Sequence, residues 1–143
     1  MENRYCLQMV GCGDVCCGNG NGGTAIENVY STEETVCGKW IDGKPIYRKV
    51  ITGKLAEQNG SAHVFTNVSQ LKIEKVINLY GNLVDKDDYH LMIQTSYNEP
   101  RGLYAAVNMY YSTQNGNIYY HLFNNSGSIS GCTAYMVIEY TKK

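Results

Sequence analysis

From Ile46 onward the apolar positions recur with a period of two, in short runs separated by clusters of Gly, Asn, Asp and Ser. That is the signature of antiparallel strands with one buried and one wet face, rather than of helices. Leu71, Ile73, Ile77 and Leu79 alternate with Lys72, Glu74 and Asn78, and Leu91–Thr95 is a shorter candidate strand. Ala105, Val107, Met109 and Tyr111 share one face, as do Ile118, Tyr120 and Leu122 beyond Asn115-Gly116, the strongest hairpin dipeptide in the chain. Asn124-Asn125-Ser126-Gly127 supplies a turn region before the last strand, Thr133–Tyr140, which turns Ala134, Met136, Ile138 and Tyr140 to one side. The expected fold class is all-β, an antiparallel β-sandwich or jelly-roll-like domain.

Upstream the pattern changes. Residues 1–29 hold Gly11, Gly13, Gly18, Gly20, Gly22 and Gly23 with few aliphatic side chains, so they cannot offset the entropy of ordering by burial. They read as an extended anchoring arm that gains order by docking on a neighbouring subunit or a larger assembly. Residues 30–53 read as a connector and 54–143 as the β domain. Within the connector, Ser31 and Glu34 have capping-box spacing, with a plain polar turn as the alternative, and Asp42-Gly43 marks a turn leading into a strand. Trp40, the only Trp, is expected to be buried at the entry to the β body between Ile41 and Ile46.

At 143 residues, one core is within reach. Thirteen Tyr against two Phe is the compositional oddity. A tyrosine pairs a flat apolar ring with a hydroxyl that seeks water or a partner, which suits half-buried strands and contact surfaces. A net charge of −1, without clustered Lys or Arg, leaves no electrostatic footprint for nucleic acid. The first residues lack a signal-peptide pattern and no stretch has the length of a membrane helix, so neither membrane insertion nor export by a signal peptide is expected. The six cysteines are therefore read as free thiols by default.

Candidate chemistry is sparse. His63, His90 and His121 sit in no catalytic motif, and the Gly-rich arm lacks the Lys-Ser/Thr ending of a phosphate loop. Asp85, Asp87 and Asp88 lack the spacing of a calcium loop and read as a solvated turn. Cys6, Cys12, Cys16 and Cys17 are enough thiolates for tetrahedral zinc, yet adjacent Cys16 and Cys17 do not readily face one ion. Packing between subunits, or disulfides formed after release from the cell, come ahead of zinc. Cys37 and Cys132 read as half-buried thiols. No catalytic residue and no cofactor is expected. Tyr97, Tyr104, Tyr110 and Tyr119 are candidate ligand or intersubunit contacts.

The stretch from Tyr30-Ser-Thr-Glu-Glu through Trp40, Ile41, Asp42, Gly43, Lys44, Pro45 to Lys49 resembles a segment that recurs in tail-fibre, tail-spike and head-fibre proteins of bacteriophages and prophages. The closing Ala134-Tyr-Met-Val-Ile-Glu-Tyr-Thr-Lys142 is similar to the last strand of their C-terminal modules. The resemblance implies a homotrimeric β-sandwich-like module of a virion, assembled in the host cytoplasm. Trp40–Pro45 would lead the chain into the fold, the arm would hold other virion proteins, and the β domain would touch a host-surface glycan. Two alternatives stand beside it: a purely architectural head fibre or capsid decoration, and a small glycan-degrading enzyme, which would need paired carboxylates where Glu57, Glu74, Asp88 and Glu99 show no pairing in the sequence.

Overall fold

The structure, a computed structural model, describes residues 28–99, 102–125 and 129–143, with the backbone alone described for 95–99 and 102–104. The cysteine-rich arm, including Cys6, Cys12, Cys16 and Cys17, lies outside the described residues.

Among the described residues, nine strands form two antiparallel sheets. The larger has the order β1 (Thr35–Lys39), β2 (Pro45–Lys54), β9 (Thr133–Lys142), β4 (Ile73–Val84), β5 (His90–Met92). The smaller has the order β3 (Gly60–Asn67), β8 (Asn117–Asn124), β7 (Gly102–Tyr111), β6 (Thr95–Glu99). One core lies between them, with Ile118, Tyr120, Leu122, Val107 and Met109 from the small sheet against Ala134, Met136, Ile138, Tyr140 and Leu83 from the large one. The all-β, two-sheet class read from the alternation is what the chain adopts. Each fully buried aliphatic here contributes about 1.5–3 kcal/mol, so the facing stripes carry much of the driving force.

The segment read as a connector is a structural part of the large sheet. Asp42-Gly43 closes the β1–β2 hairpin, with Gly43 at φ 84° and Asp42 Oδ1 accepting the Lys44 N–H at 3.0 Å. β2 then pairs with β9 along its length, from Tyr47 opposite Tyr140 to Lys54 opposite Thr133. Trp40 therefore sits in a hairpin turn at the sheet's edge. It is half-buried with the Lys75 ammonium 5.8 Å from its ring centre, and its neighbour Ile41 is 91% exposed. The expected burial of Trp40 between Ile41 and Ile46 is thus corrected, because a turn that projects beyond its sheet has no second layer to cover it.

Of the two readings open for Ser31 and Glu34, the polar turn holds: the Ser31 hydroxyl accepts the Glu33 N–H at 3.0 Å and no helix follows. Two departures have local causes. In β4, bulges between Ile73 and Lys75 and between Val76 and Asn78 each insert a residue against β9 and exchange the strand's faces. The residues packed on the core are Ile73, Val76, Leu79 and Leu83, and Ile77 is displaced from the face that plain alternation assigns it. Leu91–Thr95 is not one strand. The chain leaves the large sheet after Met92, turns at Ile93 and Gln94 (φ 73°), and joins the small sheet at Thr95. The Gln94 side chain bridges the change, its amide nitrogen donating to Met109 O at 2.5 Å and its oxygen accepting the Met109 N–H at 3.2 Å.

Candidate binding face

The two sheets divide the polar residues by chemistry. β2, β4 and β9 carry Arg48, Lys49, Lys54, Glu74, Lys75, Glu139 and Lys142, whereas β3, β7 and β8 contain no Lys, Arg, Asp or Glu. The outer face that β3, β7 and β8 share therefore carries no formal charge. In register across it stand Val64 opposite Tyr119 and Tyr119 opposite Tyr110, flanked by the Asn108–His121 pair. Facing side chains on adjacent strands are close enough to make one continuous patch. Val64 is 55% and Tyr110 48% exposed, and the two tyrosine rings lie 5.6 Å apart and 22° from parallel.

The hairpin between β7 and β8 fixes this face. Its loop is longer than the two-residue turn that Asn115-Gly116 suggests: Ser112 N–H donates to Asn117 O at 2.8 Å and Gly116 N–H to Ser112 O at 2.9 Å. Gly116 takes φ 71°, and a Cβ there would lie 2.8 Å from Ser69 Cβ, so the loop packs against the short 3-10 turn Ser69–Leu71. Asn115 and Asn117 then both donate side-chain N–H to the Tyr119 hydroxyl, at 2.8 and 3.0 Å. Asn67 donates to Asn117 Oδ1 at 2.7 Å, and its own oxygen accepts from the Ser69 N–H at 3.1 Å and the Ser69 hydroxyl at 2.7 Å. The Tyr119 ring is thus locked by an amide network rather than left to rotate.

A second polar cluster occupies the outer face of the large sheet. Arg48 Nε pairs with Glu139 Oε1 at 2.8 Å, both side chains being largely buried. Residues 28–31 roof this pair: Asn28 accepts from the guanidinium, the Tyr30 ring lies 4.4 Å from it, and Ser31 O accepts the Val50 N–H at 2.8 Å. The Tyr80 hydroxyl donates to Glu139 at 3.2 Å and lies 3.3 Å from that of Tyr30. Burial, reinforced by Tyr30 and Glu139, pushes the Tyr80 hydroxyl far above its ordinary value and keeps it protonated. At the strand ends, Glu34 accepts from the buried Tyr140 hydroxyl and from Lys142 Nζ at 2.5 Å, while Lys142 also lies 4.5 Å from the Tyr47 ring centre. Both clusters cross-link the chain's first described residues to the sheet.

The remaining candidates are dispersed. His63 packs at 5.2 Å on Tyr120 and bonds Gln58 O, His90 lies exposed on the edge strand β5, and His121 is on the outer face of the small sheet. Glu74 pairs with Lys44, and Glu57 and Asp88 lie in separate loops. Asp85 Oδ1 accepts the Asp87 and Tyr89 N–H groups at 2.9 and 2.8 Å, so this carboxylate shapes the β4–β5 turn. Among the described residues no three His, Cys, Asp or Glu side chains are placed to share a metal ion. Cys37 and Cys132 are half-buried, and burial raises both thiols. Of the four tyrosines singled out from the sequence, Tyr110 and Tyr119 meet on one face. Tyr97 lies in β6 and Tyr104 in β7, with side chains outside those described. Val64 and the amides Asn67, Asn115 and Asn117 are not among the sequence's candidate contacts, Asn115 entering only as half of a turn dipeptide. The uncharged composition of β3 and β8 was the signal that could have found them.

Comparison of the chain with protein-family models, curated proteins and solved structures finds no match.

Proposed function

We propose that this chain is a non-enzymatic module of a bacteriophage virion appendage, whose β-sandwich binds a host-surface glycan through the outer face of the small sheet. The observation that carries this reading is the stacked pair of exposed Tyr110 and half-buried Tyr119, the latter held by the Asn115 and Asn117 amides, on strands without formal charge. Sugars present an apolar ring face and a rim of hydroxyls, and a tyrosine platform edged by amides complements both. The resemblance of Tyr30–Lys49 and of the terminal strand to fibre modules supplies the virion context, and with it a homotrimer whose arm engages other virion proteins.

The test is retention of the purified full chain on an array of bacterial surface polysaccharides. Tyr110→Ala is expected to lose binding while leaving the thermal melt close to wild type, because the ring is exposed. Absence of binding to every polysaccharide would overturn the reading. Light scattering is expected to give about three times the 16.0 kDa chain mass. If Tyr110→Ala instead changes that mass and no sugar binds, the face is a contact between copies and the role is architectural.

A further inference from the structure

If the Tyr110–Tyr119 face binds a glycan, as just proposed, the direction of the hydrogen bonds at its rim narrows the class of sugar. Each amide oxygen of the loop already accepts one bond: Asn115 Oδ1 accepts the Asn117 backbone N–H at 3.0 Å, and Asn117 Oδ1 accepts from Asn67 at 2.7 Å. Each amide nitrogen carries two hydrogens, and each donates one to the Tyr119 oxygen. Asn115 and Asn117 therefore each keep a donor in hand. The Tyr119 hydroxyl, having accepted two N–H bonds, keeps its own proton to donate. The rim thus offers a ligand several N–H and O–H donors beside three strands without formal charge. In register with Tyr119, Val64 adds an exposed apolar side chain on the other flank.

A carbonyl oxygen, which only accepts, matches converging donors better than a hydroxyl, which must also place its own proton. A carboxylate also accepts, but β3, β7 and β8 provide no cation to offset its desolvation. A protonated amino sugar would bring donors to donors. We propose that the face selects an uncharged sugar bearing an acetamido group. Its carbonyl accepts from Tyr119 and the loop amides, its methyl packs on Val64, and the apolar face of its ring rests on Tyr110.

Calorimetry of the full chain tests this with four oligosaccharides of equal length: β-1,4-linked N-acetylglucosamine, its de-N-acetylated form, the corresponding glucose oligomer and a uronate oligomer. The acetylated oligomer is expected to bind roughly tenfold more tightly than the glucose oligomer, and the other two more weakly still. Tyr119→Phe keeps the ring and removes the donor, and is expected to bring the acetylated oligomer down to the glucose level. Tyr110→Ala should weaken both. Equal affinity for the acetylated and glucose oligomers, or a Tyr119→Phe variant with unchanged preference, overturns the acetamido inference while glycan binding stands. Failure of all four oligomers to bind also overturns it, and the polysaccharide array then decides separately whether the face binds glycan at all.

Discussion

Glu34 shows how one side chain acquires a role that its position in the chain does not announce. It precedes β1, yet it accepts hydrogen bonds from Tyr140 and Lys142 of β9. Burial alone would raise its carboxyl, but the bonds from Lys142 and Tyr140 outweigh this and hold it below the usual carboxylate range. A carboxyl depressed in the folded state stabilises fully above its unfolded value, and that contribution is lost as pH falls through the folded one. Thermal melts are therefore expected to decline as pH drops below about 5, and Glu34→Gln to flatten that limb at a cost of about 1 kcal/mol at neutral pH. Melts of the two proteins between pH 3 and 7 check this. Tyr140 behaves in the opposite sense: burial, then the Glu34 bond, raise its hydroxyl far above the ordinary value. Its neutral form is the one folding favours, so stability is expected to fall as pH rises past about 10, where the unfolded chain ionises.

Among the elements, the β7–β8 hairpin depends on an exacting local geometry. Gly116 is buried, has φ 71° and abuts Ser69, so any side chain there meets both a disfavoured backbone conformation and a packed neighbour. Gly116→Ala is expected to cost about 1–3 kcal/mol, against a few tenths for Gly43→Ala's steric part, since a Cβ at Gly43 meets nothing within 4 Å. The positive φ of Gly43 still carries its own strain. Because the same loop carries Asn115 and Asn117, Gly116→Ala should also weaken whatever binds beside Tyr119. Chemical denaturation of the two variants separates the steric effect at Gly116 from the shared conformational one.

For the whole molecule, the boundary between the chain's start and its β body falls earlier than composition suggests. Asn28, Tyr30, Ser31 and Glu34 all bond to β2, β4 or β9, so the body includes the residues that follow the Gly-rich arm. A chain starting at Asn28 is expected to melt like the full chain. One starting at Thr35 loses the ring over Arg48, the Ser31 bond to Val50 and the Glu34 cluster, and is expected to be less stable by roughly 2–4 kcal/mol. Denaturant midpoints of the three proteins decide it. If the chain starting at Thr35 is as stable as full length, the roof over Arg48 and Glu139 contributes nothing.

The all-β class, the inward residues of β7, β8 and β9, and the Asp42-Gly43 turn are legible in the sequence. These depend on strand periodicity and turn chemistry, which act between residues adjacent in the chain. Tertiary structure alone decided that Tyr30–Gly53 joins the large sheet, because pairing of β2 with β9 links residues some ninety positions apart and leaves no local trace. It also decided the two bulges of β4, where the fit to β9 overrides alternation and sends Val76 inward in place of Ile77. Tyr110 and Tyr119 were visible one by one as tyrosines. That they stand together with Val64 on three strands free of formal charge follows only from the cross-strand register, which assembles a surface from three segments that are separate in the chain.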